Sequence, residues 1–324
     1  MALFRGCRRE DGGVRTGMIS SSNTRGALPV LKSTHWNILY RGTLSSCNYG
    51  CGYCPFAKTK NTKAELAQDR QEVERFVAWA DQRSHQSLGV LFTPWGEALI
   101  LHYYRRAMIE LTQMPHVRRV AIQTNLSCDL SDFAAADHEK LAFWATFHPG
   151  ESPLQRFLDR CQQLESLGLK YSVGVVGLKE HFEELEELRR RLLPTVYIWV
   201  NAYKREPNYY SDTDALRIRA VDPYFDLNRH YYPSQGKACG AGETSFTVDG
   251  EGNMRRCHFI KPTIGNIYET DFETALRPRA CNTQTCGCHI GYVHRPELKL
   301  DDLFGTNILE RIPATWPELD QRFA

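Results

Sequence analysis

Residues 47 to 54 read CNYGCGYC, which puts Cys47, Cys51 and Cys54 on one short loop. Thiolates at that density bind soft metals. A structural zinc needs four ligands, usually as two pairs about 12 to 20 residues apart. After Cys54 the next cysteine is Cys128, and no histidine occurs before residue 85. A [4Fe-4S] cubane is better served, because three cysteines leave one of its irons open as a Lewis-acid position for a small ligand.

The chain carries eleven cysteines in 324 residues, an odd number in a protein too large to need disulfide staples. That usage points to metal ligation or redox chemistry in a reducing compartment. A second group comprises Cys239, Cys257, Cys281, Cys286 and Cys288, and its first two members bracket a probable hairpin in a C-x17-C spacing. Four thiolates there can hold an iron-sulfur cluster or a structural zinc, and spacing alone leaves both open. Cys7, Cys128 and Cys161 lie outside the groups, and the latter two read as small buried hydrophobes.

The elements that must position these loops follow from the hydrophobic pattern. Short apolar runs at 36–41, 88–93, 118–124, 141–147, 170–176 and 196–202 alternate with amphipathic stretches at 62–84, 98–114, 153–168 and 178–193. That rhythm belongs to beta-alpha units on a parallel sheet. The repeats are too few for a closed eightfold barrel, so the expected α/β fold is an open, partial (β/α)6 TIM-like barrel with reactive groups on the loops after the strand C-termini. The cysteine loop follows the first strand and lands on that face.

The domain reading is a disordered extension over 1–31, a barrel over 32–205, an irregular connector over 206–236, and a small module over 237–324. That module is built on the hairpin TSFTVDGEGNMRRCHFI, with Asp249-Gly250 and Glu251-Gly252 at its turn. The extension is rich in Arg, Gly and Ser and cannot bury a core. A net charge of +2, from 40 basic and 38 acidic residues, gives no nucleic-acid footprint. No apolar run is long enough for a membrane span, and no secretory signal opens the chain, so a cytoplasmic location is expected.

The C-x3-C-x2-C spacing, with an aromatic before the last cysteine, resembles the radical S-adenosylmethionine superfamily. That resemblance implies that Cys47, Cys51 and Cys54 hold a [4Fe-4S] cluster and that the methionyl group of S-adenosylmethionine chelates the open iron. Tyr53 would pack against the adenine. In TPWGEAL, Gly96 and Glu97 resemble the superfamily's glycine-glutamate turn, and in QTNLS, Thr124 and Asn125 fit a polar strand end facing the cosubstrate.

The second group resembles the Twitch module, a shortened SPASM domain, which implies an auxiliary [4Fe-4S] cluster on Cys239, Cys257, Cys286 and Cys288. Cys281 is then the spare thiol. The layout resembles radical epimerases that tailor aminoglycosides, in which a cysteine returns a hydrogen atom to a sugar carbon radical. By that resemblance Cys281 is the donor, the substrate is a small-molecule amino sugar, and flavodoxin or ferredoxin supplies electrons. Dehydrogenation of a sugar alcohol or aminocyclitol and peptide modification are alternative outcomes, and a non-catalytic iron-sulfur sensor is a reading from another class. His148, Asn201 and Tyr203, after the fourth and sixth strands, are candidate substrate contacts. His258, His289 and His294 flank the module. The segments RRCHF and CHIGYVH extend the resemblance over nearly everything from residue 36 onward.

Overall fold

The computed structural model describes residues 35–316. The extension expected at 1–31, with Cys7, lies outside the described residues.

Strands β1 (His35–Tyr40), β2 (Ser87–Phe92), β3 (Val117–Thr124), β4 (Leu141–Phe147), β5 (Lys170–Val176) and β6 (Ile198–Asn201) lie side by side in sequence order. Every neighbouring pair among them is parallel. Helices α1 (Lys63–Asp81), α2 (His102–Gln113), α3 (Leu154–Ser166) and α4 (Phe182–Arg191) occupy the crossovers. Right-handed connections in unbroken order place these helices on one face of the sheet and leave the other concave. The expected open barrel is present. Among the described residues no helix is long and apolar enough to cross a membrane.

Local chemistry fixes the element ends. Thr62 accepts from the Glu65 N–H while the Glu65 carboxylate accepts from the Thr62 N–H, a reciprocal cap that starts α1. Glu183 and Glu184 open α4 and Arg189 to Arg191 close it, matching the helix dipole.

Alternation along the strands then divides the core in two. Ile38, Tyr40, Val90, Phe92, Val120, Ile122, Phe143 and Val200 face the helices in one large cluster. Leu39, Leu91, Ala121, Ala142, Trp144, Tyr197 and Trp199 face inward with Ile290 and Leu309 of the C-terminal segment, which plugs the barrel interior. Continuing the inward parity toward the strand ends gives Arg41, Gln123, Thr146 and Asn201, the polar rim of a cavity.

The C-terminal region is not a separate body. Strand β7 (Tyr232–Pro233) precedes β8 (Ser245–Val248), β9 (Asn253–Arg255) and β10 (Thr263–Asn266). β8 pairs parallel with β1, and β9 and β10 continue antiparallel, so one nine-stranded sheet runs through barrel and hairpin. An open barrel leaves the β1 edge with unpaired backbone groups, and the hairpin satisfies them. Phe246, Met254 and Phe272 join the main core, where Trp36 meets the rings of Phe246 and Phe272 edge-on at 6.1 and 5.7 Å.

The segment 206–236, expected as irregular, contains α5 (Asp212–Arg219), α6 (Phe225–Arg229) and β7, which pairs with β11 (Thr285–Cys286). These elements are too short to show a hydrophobic period. Two short helices follow, α7 (His289–Tyr292) and α8 (Leu300–Phe304).

Because β8 to β10 complete both sheet and core, a chain ending at residue 236 should not retain a folded barrel. Circular dichroism is expected to show no cooperative thermal transition; a sharp transition would mean that the barrel is self-sufficient.

Candidate active site

The cysteine loop is tied down before its first cysteine. Asp69 of α1, fully buried, accepts the backbone N–H groups of Thr43 and Leu44 at 2.9 and 3.0 Å and the hydroxyls of Tyr103 and Tyr104. Asn61 accepts the next two, from Ser45 and Ser46, at 2.8 and 2.9 Å. The loop after β2 crosses directly against this turn. A β-carbon on Gly96 would stand 1.8 Å from the Ser46 carbonyl oxygen, so only glycine admits the approach. The neighbouring Glu97 N–H then donates to that carbonyl at 3.1 Å.

Glu97 is buried and draws β2 and β3 together. Its carboxylate accepts the Thr124 hydroxyl at 2.7 Å, the Asn125 N–H at 2.6 Å and the Leu99 N–H at 3.0 Å. Burial pushes its pKa up to about 7 despite these hydrogen bonds. The Asn125 amide reaches back to Asn48 at 2.9 Å and lies 3.8 Å from the Cys47 sulfur. His148, after β4, brings Nδ1 within 2.8 Å of the Tyr53 hydroxyl and 3.4 Å of the Cys51 sulfur. Burial lowers its pKa to about 4, so it is neutral. The Tyr53 ring lies parallel to His148 at 6.1 Å.

A cavity of about 300 Å³ has Cys47, Cys51, Cys54, Glu97, Thr124, Asn125, His148 and Asn201 on its wall, whereas Tyr53 and Gly96 are not among its lining residues. Tyr203 does not reach it: its ring packs on Tyr209 and its N–H donates to the Tyr210 hydroxyl. His258 and His289 also line the cavity. His294 is buried elsewhere, against the Ser245 hydroxyl at 3.1 Å.

A second cavity of about 310 Å³ is lined by all five C-terminal cysteines. Burial raises the thiols of Cys239, Cys257, Cys286 and Cys288. At Cys281 burial acts in the same direction and is outweighed by hydrogen bonds from Thr283 and Ser234. Cys281, expected from the sequence to face the radical site, lines this second cavity and not the first, its sulfur 3.2 Å from the Thr283 hydroxyl. Cys288 alone of the five lines both.

Among the described residues no three His, Cys, Asp or Glu side chains gather closely enough for a single metal ion. A cubane distributes its thiolates over separate irons and asks for a wider spread. The loop thiols Cys47, Cys51 and Cys54 on one cavity and five thiols on the next fit two such clusters, and the burial that raises Cys47, Cys51, Cys239, Cys257, Cys286 and Cys288 is a cost that metal binding relieves.

Sequence reasoning passed over Arg41, Trp95, Trp144, Trp199 and Arg311, all on the wall of the first cavity. Strand parity marks Arg41, Trp144 and Trp199 as inward. Arg311 comes from the C-terminal segment, where no motif announces it.

No protein-family model matches the sequence, and no curated protein matches it. Among solved structures, the chain is similar to native anSMEcpe with bound AdoMet and Kp18Cys peptide at 13% identity and a TM-score of 0.50, over 74% of this chain and 82% of that one. BtrN in complex with AdoMet and 2-DOIA aligns at 16% identity and a TM-score of 0.40, over 74% of this chain and 87% of that one. The chain shares its fold with an AdoMet-bound protein. The fold implied by the resemblance to the radical S-adenosylmethionine superfamily is the fold found.

The Glu97 carboxyl gives a pH signature. Its folded value of about 7 lies above its ordinary 4.5, so the folded chain keeps this proton after the unfolded chain has lost it. The associated stability is complete below about 4.5 and is lost as pH rises toward 7, by on the order of 3 kcal/mol. Urea titrations of the cofactor-free protein from pH 4 to 8 should show this decline in wild type relative to Glu97→Gln. Parallel curves would refute it.

Proposed function

We propose that this protein is a radical S-adenosylmethionine enzyme that removes a hydrogen atom from a carbon of a small polar substrate. A cysteine thiol then returns one, giving an epimer in the manner of neomycin C epimerase. The observation that supports this reading is that Cys288, alone among the five C-terminal cysteines, lies on the wall of both cavities.

Cys47, Cys51 and Cys54 would hold the first cluster with one iron open. The turn at Gly96 and Glu97 and the strand end at Thr124 and Asn125 would face the cosubstrate. Cys239, Cys257, Cys281 and Cys286 would hold the second cluster, a ligand set that differs from the sequence expectation by exchanging Cys288 for Cys281. When bound, the first cluster and AdoMet supply a 5′-deoxyadenosyl radical able to take hydrogen from an unactivated carbon.

The chain's own contribution is to exclude water and to place a thiol at the substrate. In the return step the Cys288 S–H bond breaks and a substrate C–H bond forms. The thiyl radical left behind takes one electron from an external reductant such as flavodoxin or ferredoxin and a proton from solvent. The amino-sugar carbon implied by the epimerase resemblance meets a cationic wall, so the reaction type is proposed here without that substrate.

A second reading follows from the same residue. If Cys288 ligates the auxiliary cluster, no thiol faces the substrate and the outcome is dehydrogenation, the cluster accepting the second electron.

Metal content separates the two without knowledge of the substrate. Reconstituted Cys288→Ala should keep wild-type iron and sulfide and still form 5′-deoxyadenosine on reduction with AdoMet, whereas Cys281→Ala should lose about half its iron. The opposite pattern favours dehydrogenation. Absence of 5′-deoxyadenosine from reduced wild type would sink both.

A further inference from the structure

Two guanidinium groups on the wall of the first cavity form no ion pair among the described residues. Arg41 and Arg311 are 8% and 4% exposed, and both line the cavity. Nε and Nη1 of Arg41 and Nε of Arg311 are buried without a hydrogen-bond partner. Among the described residues neither side chain is ion-paired. Of the buried carboxylates, Glu97 spends both oxygens on Thr124, Asn125 and Leu99, and Asp222, which feels the Arg311 charge without pairing to it, spends its own on Tyr197, Val200 and Tyr224. A buried cation in this state costs several kcal/mol unless something neutralises it.

Both groups are also held in place. The Arg41 guanidinium lies 3.7 Å from the ring centre of Trp95, and that of Arg311 lies 4.4 Å from the ring centre of Trp199. Stacking occupies a planar face and leaves the in-plane N–H edge free, the edge that matches an oxyanion. Arg311 further adopts φ 54°, a left-handed backbone that non-glycine residues take at a cost. Lys58 on the same wall donates to the Cys51 carbonyl, and Lys204 is engaged with the carbonyls of Asn228 and Gly287, so among the described lysines and arginines here the two arginines keep unpartnered N–H groups.

Resting on the reading of this cavity as the substrate site, we propose that the substrate is a small molecule bearing a carboxylate or phosphate, whose oxygens bridge Arg41 and Arg311. A polycationic amino sugar would instead add positive charge to a wall that lacks negative charge. The shared chemistry is an oxyanion on a polar body.

The test uses reconstituted protein with AdoMet and four probes in saturation-transfer NMR titrations: glucuronate, glucose 6-phosphate, glucose and glucosamine. At least one anionic probe should bind about tenfold or more tightly than glucose and glucosamine. Arg41→Met and Arg311→Met should each weaken that binding by at least about tenfold while iron and sulfide stay at wild-type levels, and Arg311→Lys should restore part of it.

Equal binding of glucosamine and the anions, or binding of none, overturns the proposal. So does loss of auxiliary iron in the methionine variants with anion affinity unchanged, because the arginines would then serve the cluster. If anions bind as expected but reduced wild type makes no 5′-deoxyadenosine, the anion site stands and the radical reading fails.

Discussion

Six parallel strands in unbroken sequence order impose one constraint from which the site follows. With their crossover helices on one face, the other face closes over an interior filled from the same strands by alternate residues. The alternation is steep in chemistry. Low in the barrel the inward positions are Leu39, Leu91, Ala121 and Trp144, and one step nearer the mouth they are Arg41, Gln123 and Thr146. A packed floor beneath a polar rim needs no separate device, only a change of residue type where the strands end.

The loops on that rim are fixed by buried acceptors rather than by packing alone. Asp69 and Asn61 take four consecutive backbone N–H groups from Thr43 to Ser46. Burial raises the Asp69 pKa, and its four donors offset part of that cost while tying down the entry to CNYGCGYC. Gly96 passes against the same turn, which couples the cysteine loop to the loop after β2. Positions 47, 97 and 125 are therefore set by one connected network, and a shift in any member moves the others.

What the sequence made legible tracks what periodicity and spacing report. Apolar runs marked all six barrel strands, and the residues at 97, 124, 125, 148 and 201 converge on the cavity as their positions after strands required. Spacing could not say which of five thiols faces which cavity, because Cys281 and Cys288 differ in orientation and not in kind. Nor could it show that β8 pairs with β1, since a strand's pattern records burial and not its partner. Arg311 was invisible because it is a single charge in a segment with no repeat, brought to the cavity only by the tail's return against Trp199.

In the proposed reaction, charge and hydrogen transfer would meet at Cys288. Lys204, Arg311 and Arg41 all act to lower its pKa, and desolvation outweighs them and raises it, which favours the protonated thiol. That balance matters because a thiolate has no S–H bond to give. An oxyanion seated on the two arginines would cancel part of their pull at the moment a substrate is present. The same contact that orients the substrate would then also hold the donor in its reactive form, so in this arrangement anion recognition and hydrogen return depend on one pair of guanidinium groups.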